Sequence, residues 1–434
     1  MNSASKSAIR SSGASVRLEG CESFRQRIVL SVLSGRPLLI HKVRERGYEN
    51  PGLRGFEAGF LRLVDKVTNG STIEINETGT VLRFLPGMVM GGKHKHDCGT
   101  ERSIGYFLEG VVPLIVFGKQ PTTLDLTGIT NDCTDLSVDA IHRVMFPYMR
   151  VFGIGAREND LGLGVNNEMV LKVRKRGARP NGGGEVHFEC PIVRQLKPVR
   201  LMDPGMVKRV RGVAFSSKVS PQMVNRVVEA ARGVLNSFIP DVFIHTDHRR
   251  GAESGESPGY GATLVAKSTT GVLVAAEAAM QPRVVAAAVA AAGSAGAGGM
   301  SAAAAAAATA AADDDGPAAN AMGTAVAEQV MTPEDIGKLV AARLLEEIRA
   351  GGCIDSGMQP LIIMLMALGP EDVSKVRLGS LSPQAVRTLR LLKEFLGVVF
   401  KIKAEEPAKG TGAAGTVLLS CQGCGFKNTS KKVS

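Results

Sequence analysis

The chain has 434 residues, which is more than one hydrophobic core usually serves, so at least two structural units are expected. Aromatic residues make up only 4% of the sequence and tryptophan is absent, which argues against a surface that stacks single-stranded bases. Lys and Arg outnumber Asp and Glu by 52 to 41, and the resulting net charge of +11 favours polyanionic partners.

The cysteines and the apolar runs restrict the cellular setting. Seven scattered cysteines, an odd number, indicate reduced thiols rather than a disulfide framework. The N-terminus has no signal-peptide core, and no run of bulky apolar residues is long enough to span a bilayer. We therefore expect a soluble intracellular protein without a membrane partner.

One order of predicted elements occurs three times along the chain. The first copy has a helix at 23–34, a strand at 37–43, a helix at 56–67 and two short strands within 71–87. The same order of helix, strand, helix, strand, strand returns from residue 102 and again from residue 332. Because the strands come partly as hairpins, we predict an α/β (α+β) fold of three repeated two-helix, four-strand units with one inserted small α/β domain.

Composition sets the predicted boundaries between these units. Residues 283–325 are rich in Ala and lack the large apolar side chains that would dock a helix. The predicted parts are a flexible N-terminus (1–15), core repeats one and two (16–192), an inserted small α/β domain (193–282), an Ala-rich linker (283–325), core repeat three (326–405) and a flexible basic C-terminal tail (406–434).

A basic strand followed by three glycines is a candidate anion site. The stretch "LKVRKRGARP" places Lys172, Arg174 and Arg176 on one side of a strand, which suits a row of phosphates. The alternative is a solvated edge strand whose charges prevent aggregation. The three glycines Gly182, Gly183 and Gly184 permit either an anion-binding nest of N–H groups or a close-packed hairpin turn.

No metal site is predicted. His94 and His96 would share one face of an extended segment, and Cys421 and Cys424 form half of a zinc knuckle. Neither pair has a second pair of ligands at a convincing spacing.

The stretch "GGCIDSGMQPLIIMLMALG" resembles a reactive loop set above a buried helix. Its reactive candidates are Cys353, Asp355 and Ser356, and none has an obvious base beside it in sequence. The last histidine of the chain is His248, so the whole C-terminal unit has no imidazole.

Six segments together resemble the RNA 3′-terminal phosphate cyclase superfamily, and the likeness is closest to its non-catalytic, ribosome-biogenesis branch. In chain order they are "FRQRIVLSVLSGRPLLIHKVR", "NPGLRGFEAGFLRLV", "DCGTERSIGYFLEGVVPL", "RPNGGGEV", "SPGYGATLVA" and the stretch that begins "CIDSGMQPLIIMLMALGPEDV". The resemblance covers about residues 16–282 and 333–404. It implies three βαβαββ-type repeats that carry one inserted small α/β domain, which agrees with the layout predicted from the pattern.

The same resemblance implies a degenerate active site. Cyclases of this family carry adenylate on a histidine in a Gly-x-His-x-Ala-Asp-Gln segment, a case of nucleophilic catalysis by imidazole. Aligned on Gln359, this chain has Asp355 at the position of that histidine. The family's Gly-Gly-Gly-Gln loop is reduced to Gly20-Cys21-Glu22, and its Gln-His pair becomes Phe56-Glu57. We therefore expect no catalytic residue and no cofactor.

The resemblance also implies a function and partners. It implies a nucleolar factor for small (40S) ribosomal subunit biogenesis, supporting early pre-rRNA processing toward 18S rRNA within the U3 small nucleolar ribonucleoprotein assembly. The implied partners are a large nucleolar GTPase of the small-subunit processome, the U3 small nucleolar ribonucleoprotein and pre-rRNA, with nuclear and nucleolar localisation. A surviving pocket for a phosphate or an acidic peptide would be lined by Arg25, Arg44, Arg102 and Gly182–Gly184.

Two enzymatic alternatives remain open. The first is an endoribonuclease that cleaves pre-rRNA, for which the resemblance points to Arg390 and Lys393 on the helix after Ser-Pro. The acidic member of that cluster is replaced by Leu391, which disfavours it. The second is an ATP-dependent RNA 3′-phosphate cyclase, which the missing histidine disfavours.

Overall fold

The structure is a computed structural model that describes residues 15–45, 51–155, 168–280, 331–406 and 415–429. Residues 1–14 of the predicted flexible N-terminus (1–15) and the whole predicted Ala-rich linker (283–325) lie outside the described residues. No helix among the described residues is both long and apolar enough to cross a membrane.

The first unit is a four-stranded mixed sheet with two helices. Its elements are β1 (Val16–Glu19), α1 (Phe24–Ser34), β2 (Leu38–His41), α2 (Gly55–Val67), β4 (Thr72–Ile75) and β5 (Leu82–Leu85), and the short strands β3 (Thr68–Asn69) and β6 (Met88–Val89) pair beside it. The strand order is β1-β2-β5-β4. Alternate residues of β2 and β5, such as Leu38 and Phe84, are buried, because successive side chains of a strand point to opposite faces.

The second unit follows with the same kinds of elements. It contains β7 (Gly92–Asp97), α3 (Ile104–Ile115), β8 (Thr122–Gly128), α4 (Val138–Ala140), a π-helical turn (Ile141–Met145), α5 (Phe146–Val151), β9 (Val170–Lys175) and β10 (Gly184–Cys190). The strand order is β7-β8-β10-β9. Residues 138–151 form one continuous helical run with a π turn in its middle.

The third unit is interrupted after its first strand. It contains β11 (Arg200–Leu201) and then, after a long excursion, α8 (Gln359–Leu368), β16 (Val373–Leu378), α9 (Pro383–Leu396), β17 (Lys401–Glu405) and β18 (Thr416–Gln422), in the order β11-β16-β18-β17. Ser382 caps α9, since its hydroxyl accepts a hydrogen bond from the N–H of Ala385 at 3.2 Å.

The excursion forms a separate small sheet with two helices. Its elements are β12 (Val207–Ser217), α6 (Pro221–Leu235), β13 (Val242–Arg249), β14 (Gly259–Ser268), β15 (Leu273–Ala279) and α7 (Pro333–Ala350). The strand order, β13-β12-β14-β15, differs from that of the other sheets. Thr332 and Asp335 form the capping box that starts α7, as the predicted helix start requires.

The three core sheets share one topology. In each, the first two strands pair in parallel, the fourth strand pairs antiparallel with the second, and the third lies at the far edge. The mixed α/β class predicted from the sequence is confirmed. Helices α1, α3, α8 and α9 pack against one another, so the three units share one core.

Two predicted boundaries need correction. Residues 406–434 were predicted as a flexible tail, yet β18 lies inside this range and is a central strand of the third sheet, with Leu419 fully buried. The start of α7 was assigned to core repeat three, but α7 packs on α6, β14 and β15. Its buried side chains, among them Ile336 and Val340, complete the core of the inserted domain instead.

Candidate functional site

Asp355, which the resemblance aligns with the family's catalytic histidine, lies in a tight turn before α8. Asp355 is 4% exposed there, and its carboxylate accepts hydrogen bonds from the backbone N–H of Met358 (Oδ1, 2.9 Å) and of Ala275 on β15 (Oδ2, 3.1 Å). Burial, and then the nearby charge of Glu347, raise the pKa of Asp355 to about 7. The Asp355 side chain therefore holds the turn against the inserted sheet.

Hydrogen bonds of neighbouring residues also hold the turn that contains Asp355. The Tyr148 hydroxyl lies 2.7 Å from the carbonyl oxygen of Cys353 and 2.6 Å from that of Leu273. Ser356 donates its N–H to Glu347 at 3.1 Å, and its hydroxyl bonds the same carboxylate. Burial raises the pKa of the Cys353 thiol to about 11, so the thiol is not an activated nucleophile.

Two buried arginines meet over one aromatic ring. The Arg25 guanidinium lies 4.0 Å from the centroid of Tyr106, and that of Arg102 lies 4.5 Å from it. Arg25 donates to Glu109 Oε2 at 2.9 Å, and Arg102 forms a bidentate pair with Asp135 at 2.9 and 2.5 Å. Each guanidinium is thus neutralised by a carboxylate of the chain itself.

Arg44 has the same kind of partner. It forms a bidentate pair with Glu57 at 2.8 and 3.0 Å and also donates to the Gly52 carbonyl at 3.2 Å. Glu57 is 1% exposed and accepts from the N–H of Arg54 at 2.7 Å, which caps α2. Glu57 belongs to the Phe56-Glu57 pair that replaces the Gln-His of the cyclases.

Little open space remains beside Arg25. The groove between α1, α3 and α8 is lined by Arg25, Glu109 and Met364, among others, and offers about 10 Å³. That is room for about one water molecule, whereas small-molecule sites usually measure ~300–1,000 Å³. The groove does not have the volume of a nucleotide pocket.

The predicted phosphate row on β9 is divided between two environments. Lys172 and Arg174 are exposed, and Arg174 lies 3.3 Å from Asp125 on β8. Arg176 is 3% exposed and joins the second unit to the inserted domain, because it bonds Asp139 and also donates to Asp247 at 3.0 Å. The structure therefore does not place the three cations along one open face.

The three glycines form a close-packed turn. Gly183 has a positive φ of 74°, and a Cβ there would lie 2.8 Å from the backbone nitrogen of Glu256. A Cβ on Gly184 would lie 2.7 Å from the nitrogen of Gly177. The Gly182 carbonyl accepts from the N–H of Glu256 at 2.9 Å. Backbone packing between the second unit and the inserted domain thus explains the glycines at this turn.

The residues of the endonuclease alternative lie on one exposed face of α9. Arg390 and Lys393 are both exposed and three residues apart, so their side chains share a face of the helix. Leu391, at the position of the missing acid, is buried against the core. No ion pair is recorded for either cation within the described ranges.

The cysteine and histidine pairs do not converge into a metal site. Cys421 is buried on β18, and burial raises the pKa of its thiol to about 12. His94 and His96 lie on β7, where burial lowers the pKa of His96 to about 4. Across the residues that the structure describes, no group of three His, Cys, Asp or Glu side chains has a metal-binding arrangement.

Comparison with known proteins agrees with this geometry. The family model described as RNA 3′-terminal phosphate cyclase matches residues 16–402. The RNA 3′-terminal phosphate cyclase-like protein of Homo sapiens is 45% identical over 417 residues, covering 96% of this chain and 98% of the relative. This chain belongs to the RNA 3′-terminal phosphate cyclase family. The rRNA processing protein rcl1 of Schizosaccharomyces pombe is 38% identical, over 98% of this chain and 99% of the relative.

Carboxylates of the chain itself pair with each of these arginines. Sequence reasoning named the arginines but missed Glu109, Asp135 and Asp139. These acids lie between 33 and 84 residues from their partners in the chain. Glu57, which the resemblance sets against the family's Gln-His pair, is the one acid of these ion pairs that the sequence analysis named.

Proposed function

We propose that this chain is a non-catalytic member of the cyclase family, a nucleolar factor for small (40S) ribosomal subunit biogenesis. In this proposal it supports early pre-rRNA processing toward 18S rRNA within the U3 small nucleolar ribonucleoprotein assembly. Its direct partner would be a large nucleolar GTPase of the small-subunit processome, and it would work without a cofactor.

The observation that carries the proposal is the environment of Asp355, the residue that the resemblance aligns with the family's nucleophile. Asp355 is buried and accepts backbone hydrogen bonds from two units, and no histidine follows His248 in the sequence. Each of Arg25, Arg44 and Arg102 is already paired with a carboxylate, so an incoming triphosphate would have to break buried ion pairs. A relative of near-equal length is named an rRNA processing protein, which supports rRNA as the context.

Replacement of the relative in cells tests the biological role. Fission yeast depleted of rRNA processing protein rcl1 would be supplied with the full chain, and precursors of 18S rRNA would be followed by RNA blotting. We expect the chain, and equally its Asp355→Asn variant, to restore 18S rRNA. Accumulation of uncleaved precursor despite normal expression of the wild-type chain would contradict the proposed role.

A binding experiment tests the proposed partners. The tagged full chain would be purified from nuclear extract, and bound proteins and RNA identified with and without ribonuclease. We expect U3 small nucleolar RNA and one large GTPase, with the GTPase retained after ribonuclease treatment. Recovery of neither would contradict the assignment to the U3 assembly.

The exposed pair on α9 supports a second candidate, an endoribonuclease acting on pre-rRNA. Arg390 and Lys393 share an open helix face, as groups that contact a substrate must. The buried Leu391 removes the acid that this chemistry would use. Purified chain that cuts a pre-rRNA fragment, with the cut lost in Arg390→Ala and retained in the neighbouring Arg387→Ala, would favour this candidate. Absence of cutting by the wild-type chain would eliminate it.

A further inference from the structure

The open face of the third sheet carries a row of residues across its four strands, and three of the four are cations. Arg200 on β11 is directly opposite Lys375 on β16, which is opposite Ser420 on β18, which is opposite Lys401 on β17. Residues directly opposite each other in a sheet point to the same face. The three cations are exposed, while Val376 and Leu419, one position along, are buried in the core.

A second row lies beside the first. Arg377, Leu418 and Lys403 are directly opposite one another, two residues along their strands. Glu405, the single acidic side chain within the four strands of this sheet, pairs with Arg377 at 2.9 Å. No ion pair is recorded within the described residues for the remaining cations, which are Arg200, Lys375, Lys401 and Lys403.

The other two core sheets, with the same topology, balance their charges. In the second sheet, Asp97, Asp125, Glu185 and Glu189 lie among the cations of β7 and β9. There Lys175 pairs with Glu185, and Arg174 lies 3.3 Å from Asp125. In the first sheet, Arg83 pairs with Glu74 at 3.1 Å. Among the three core sheets, the excess of positive charge is therefore largest in the third, so it is not a requirement of their shared topology.

Stability alone does not explain the row. Like charges directly opposite each other on neighbouring strands are destabilising, and Arg200 and Lys375 are such a pair. Lysines on edge strands prevent aggregation, which would account for Lys401 and Lys403 on β17. That explanation does not apply to Lys375, because β16 is an interior strand of the sheet. A polyanionic partner would offset the repulsion along the whole row.

The chemistry of the face favours a sugar–phosphate backbone over bases. The four strands contain no aromatic residue, so stacking of bases does not contribute. Lysine ammonium groups bind phosphate as point charges and carry no sequence information. The row crosses three inter-strand spacings of ~4.8 Å each, so it extends over about 14 Å, long enough to contact several consecutive phosphates.

We propose that the open face of the third sheet, defined by Arg200, Lys375, Lys401 and Lys403, binds the phosphate backbone of RNA without sequence preference. Charge complementarity identifies the partner as a polyanion, and the choice of RNA rests on the proposed function. The face is distinct from the arginine cluster around Tyr106, whose cations are neutralised internally.

The test is salt-dependent binding of the full chain to 12-nucleotide poly(U) and poly(A). The variant carries Lys375→Gln, Lys401→Gln and Lys403→Gln. Each phosphate contact of a single strand contributes about 0.7 to the slope of log affinity against log salt, so the slope should fall by about 2. The loss of affinity between 50 and 200 mM salt would then be about 20-fold smaller in the variant than in the wild-type chain. The two oligonucleotides should bind within about twofold of each other.

A matched control removes the same charge elsewhere. Lys93→Gln, Lys95→Gln and Lys119→Gln also neutralise three exposed lysines, two of them on β7 of the second sheet. We expect this control to change the slope by less than about 0.5. Both variants should retain the wild-type circular dichroism spectrum. The sheet-three variant should unfold at no lower temperature than the wild-type chain, because its repulsion is relieved.

Three results would overturn the proposal. An equal fall in both variants of the slope of log affinity against log salt would show that the net charge of the chain, and not this face, attracts the RNA. Unchanged RNA binding in the sheet-three variant would place the RNA elsewhere. Binding of a poly-glutamate peptide as tightly as poly(U), lost in the same variant, would identify an acidic protein as the partner. Rescue of 18S rRNA in yeast is scored separately, so the function can stand while this surface fails, and the reverse.

Discussion

The ionisation of Asp355 is the most specific physical consequence of this structure. Burial, together with the charge of Glu347, raises its pKa from 3.8 to about 7, while the backbone N–H groups of Met358 and Ala275 favour the ionised form. A group whose pKa is raised on folding stabilises the fold fully below its unfolded pKa. That stability is lost as the pH rises through the folded pKa.

The size of this pH effect on the free energy of unfolding follows from the difference in proton binding between the folded and unfolded states. Between pH 5 and pH 7 the folded protein holds about one more proton at Asp355 than the unfolded chain does. The free energy of unfolding therefore falls by about 1.4 kcal/mol for each pH unit. The total loss between pH 5 and pH 8 is therefore about 2–3 kcal/mol. Asp355→Asn cannot ionise, although it gives up one backbone hydrogen bond at a cost of about 1–3 kcal/mol. The variant should thus be less stable at pH 5, and its deficit should shrink by about 2–3 kcal/mol by pH 8.

The assay is urea unfolding followed by circular dichroism at pH 5, 6, 7 and 8. Comparing wild type with variant at each pH removes the contribution of other groups, such as Glu277, whose pKa burial raises to about 8. Asp241→Asn is a matched surface control: Arg211 lowers the pKa of Asp241, so this group is ionised in both states from pH 5 to 8. The difference in free energy of unfolding between Asp241→Asn and the wild-type chain should stay constant from pH 5 to 8. A constant or growing deficit for Asp355→Asn would refute the reasoning, because it would mean that the backbone N–H groups outweigh burial.

Three further substitutions test the packing around the site, each by urea unfolding. Asp135→Asn should lower the free energy of unfolding by about 3–5 kcal/mol, since it leaves the Arg102 guanidinium buried without its counter-charge; a loss below 1 kcal/mol would contradict a buried pair. Gly183→Ala should cost about 1–3 kcal/mol more than Gly271→Ala, because both have positive φ but only Gly183 has a backbone atom within 3 Å of the new Cβ. Leu419→Ala should cost about 2–5 kcal/mol, and a neutral effect would mean that β18 is not part of the core.

Local pattern was sufficient for much of the fold. The helix α9 has an apolar stripe and a Ser-Pro start that together fix its first residue, and the cap is formed as expected. Strands with alternating burial, such as β8 and β10, were also predicted. Each of these signals lies within one element, so it can be read without knowledge of the partners.

The errors come from contacts between distant parts of the chain. The strand β18 follows a Gly-rich stretch near the end of the sequence, and pairing with β16 and β17 makes it a strand. The expectation of an anion pocket around Arg25, Arg44 and Arg102 was also formed without knowledge of such contacts. A sequence shows where the cations are, but not that Glu109, 84 residues away from Arg25, neutralises one of them.

Covalent labelling tests the central claim most directly. The purified full chain would be incubated with ATP labelled at the α-phosphate and with RNA ending in a 3′-phosphate, then denatured and examined for bound label and for 2′,3′-cyclic ends. The account predicts neither label nor cyclisation, because the family's nucleophile position holds a buried carboxyl that docks a turn. Label that survives denaturation, and that disappears in Asp355→Asn, would contradict it.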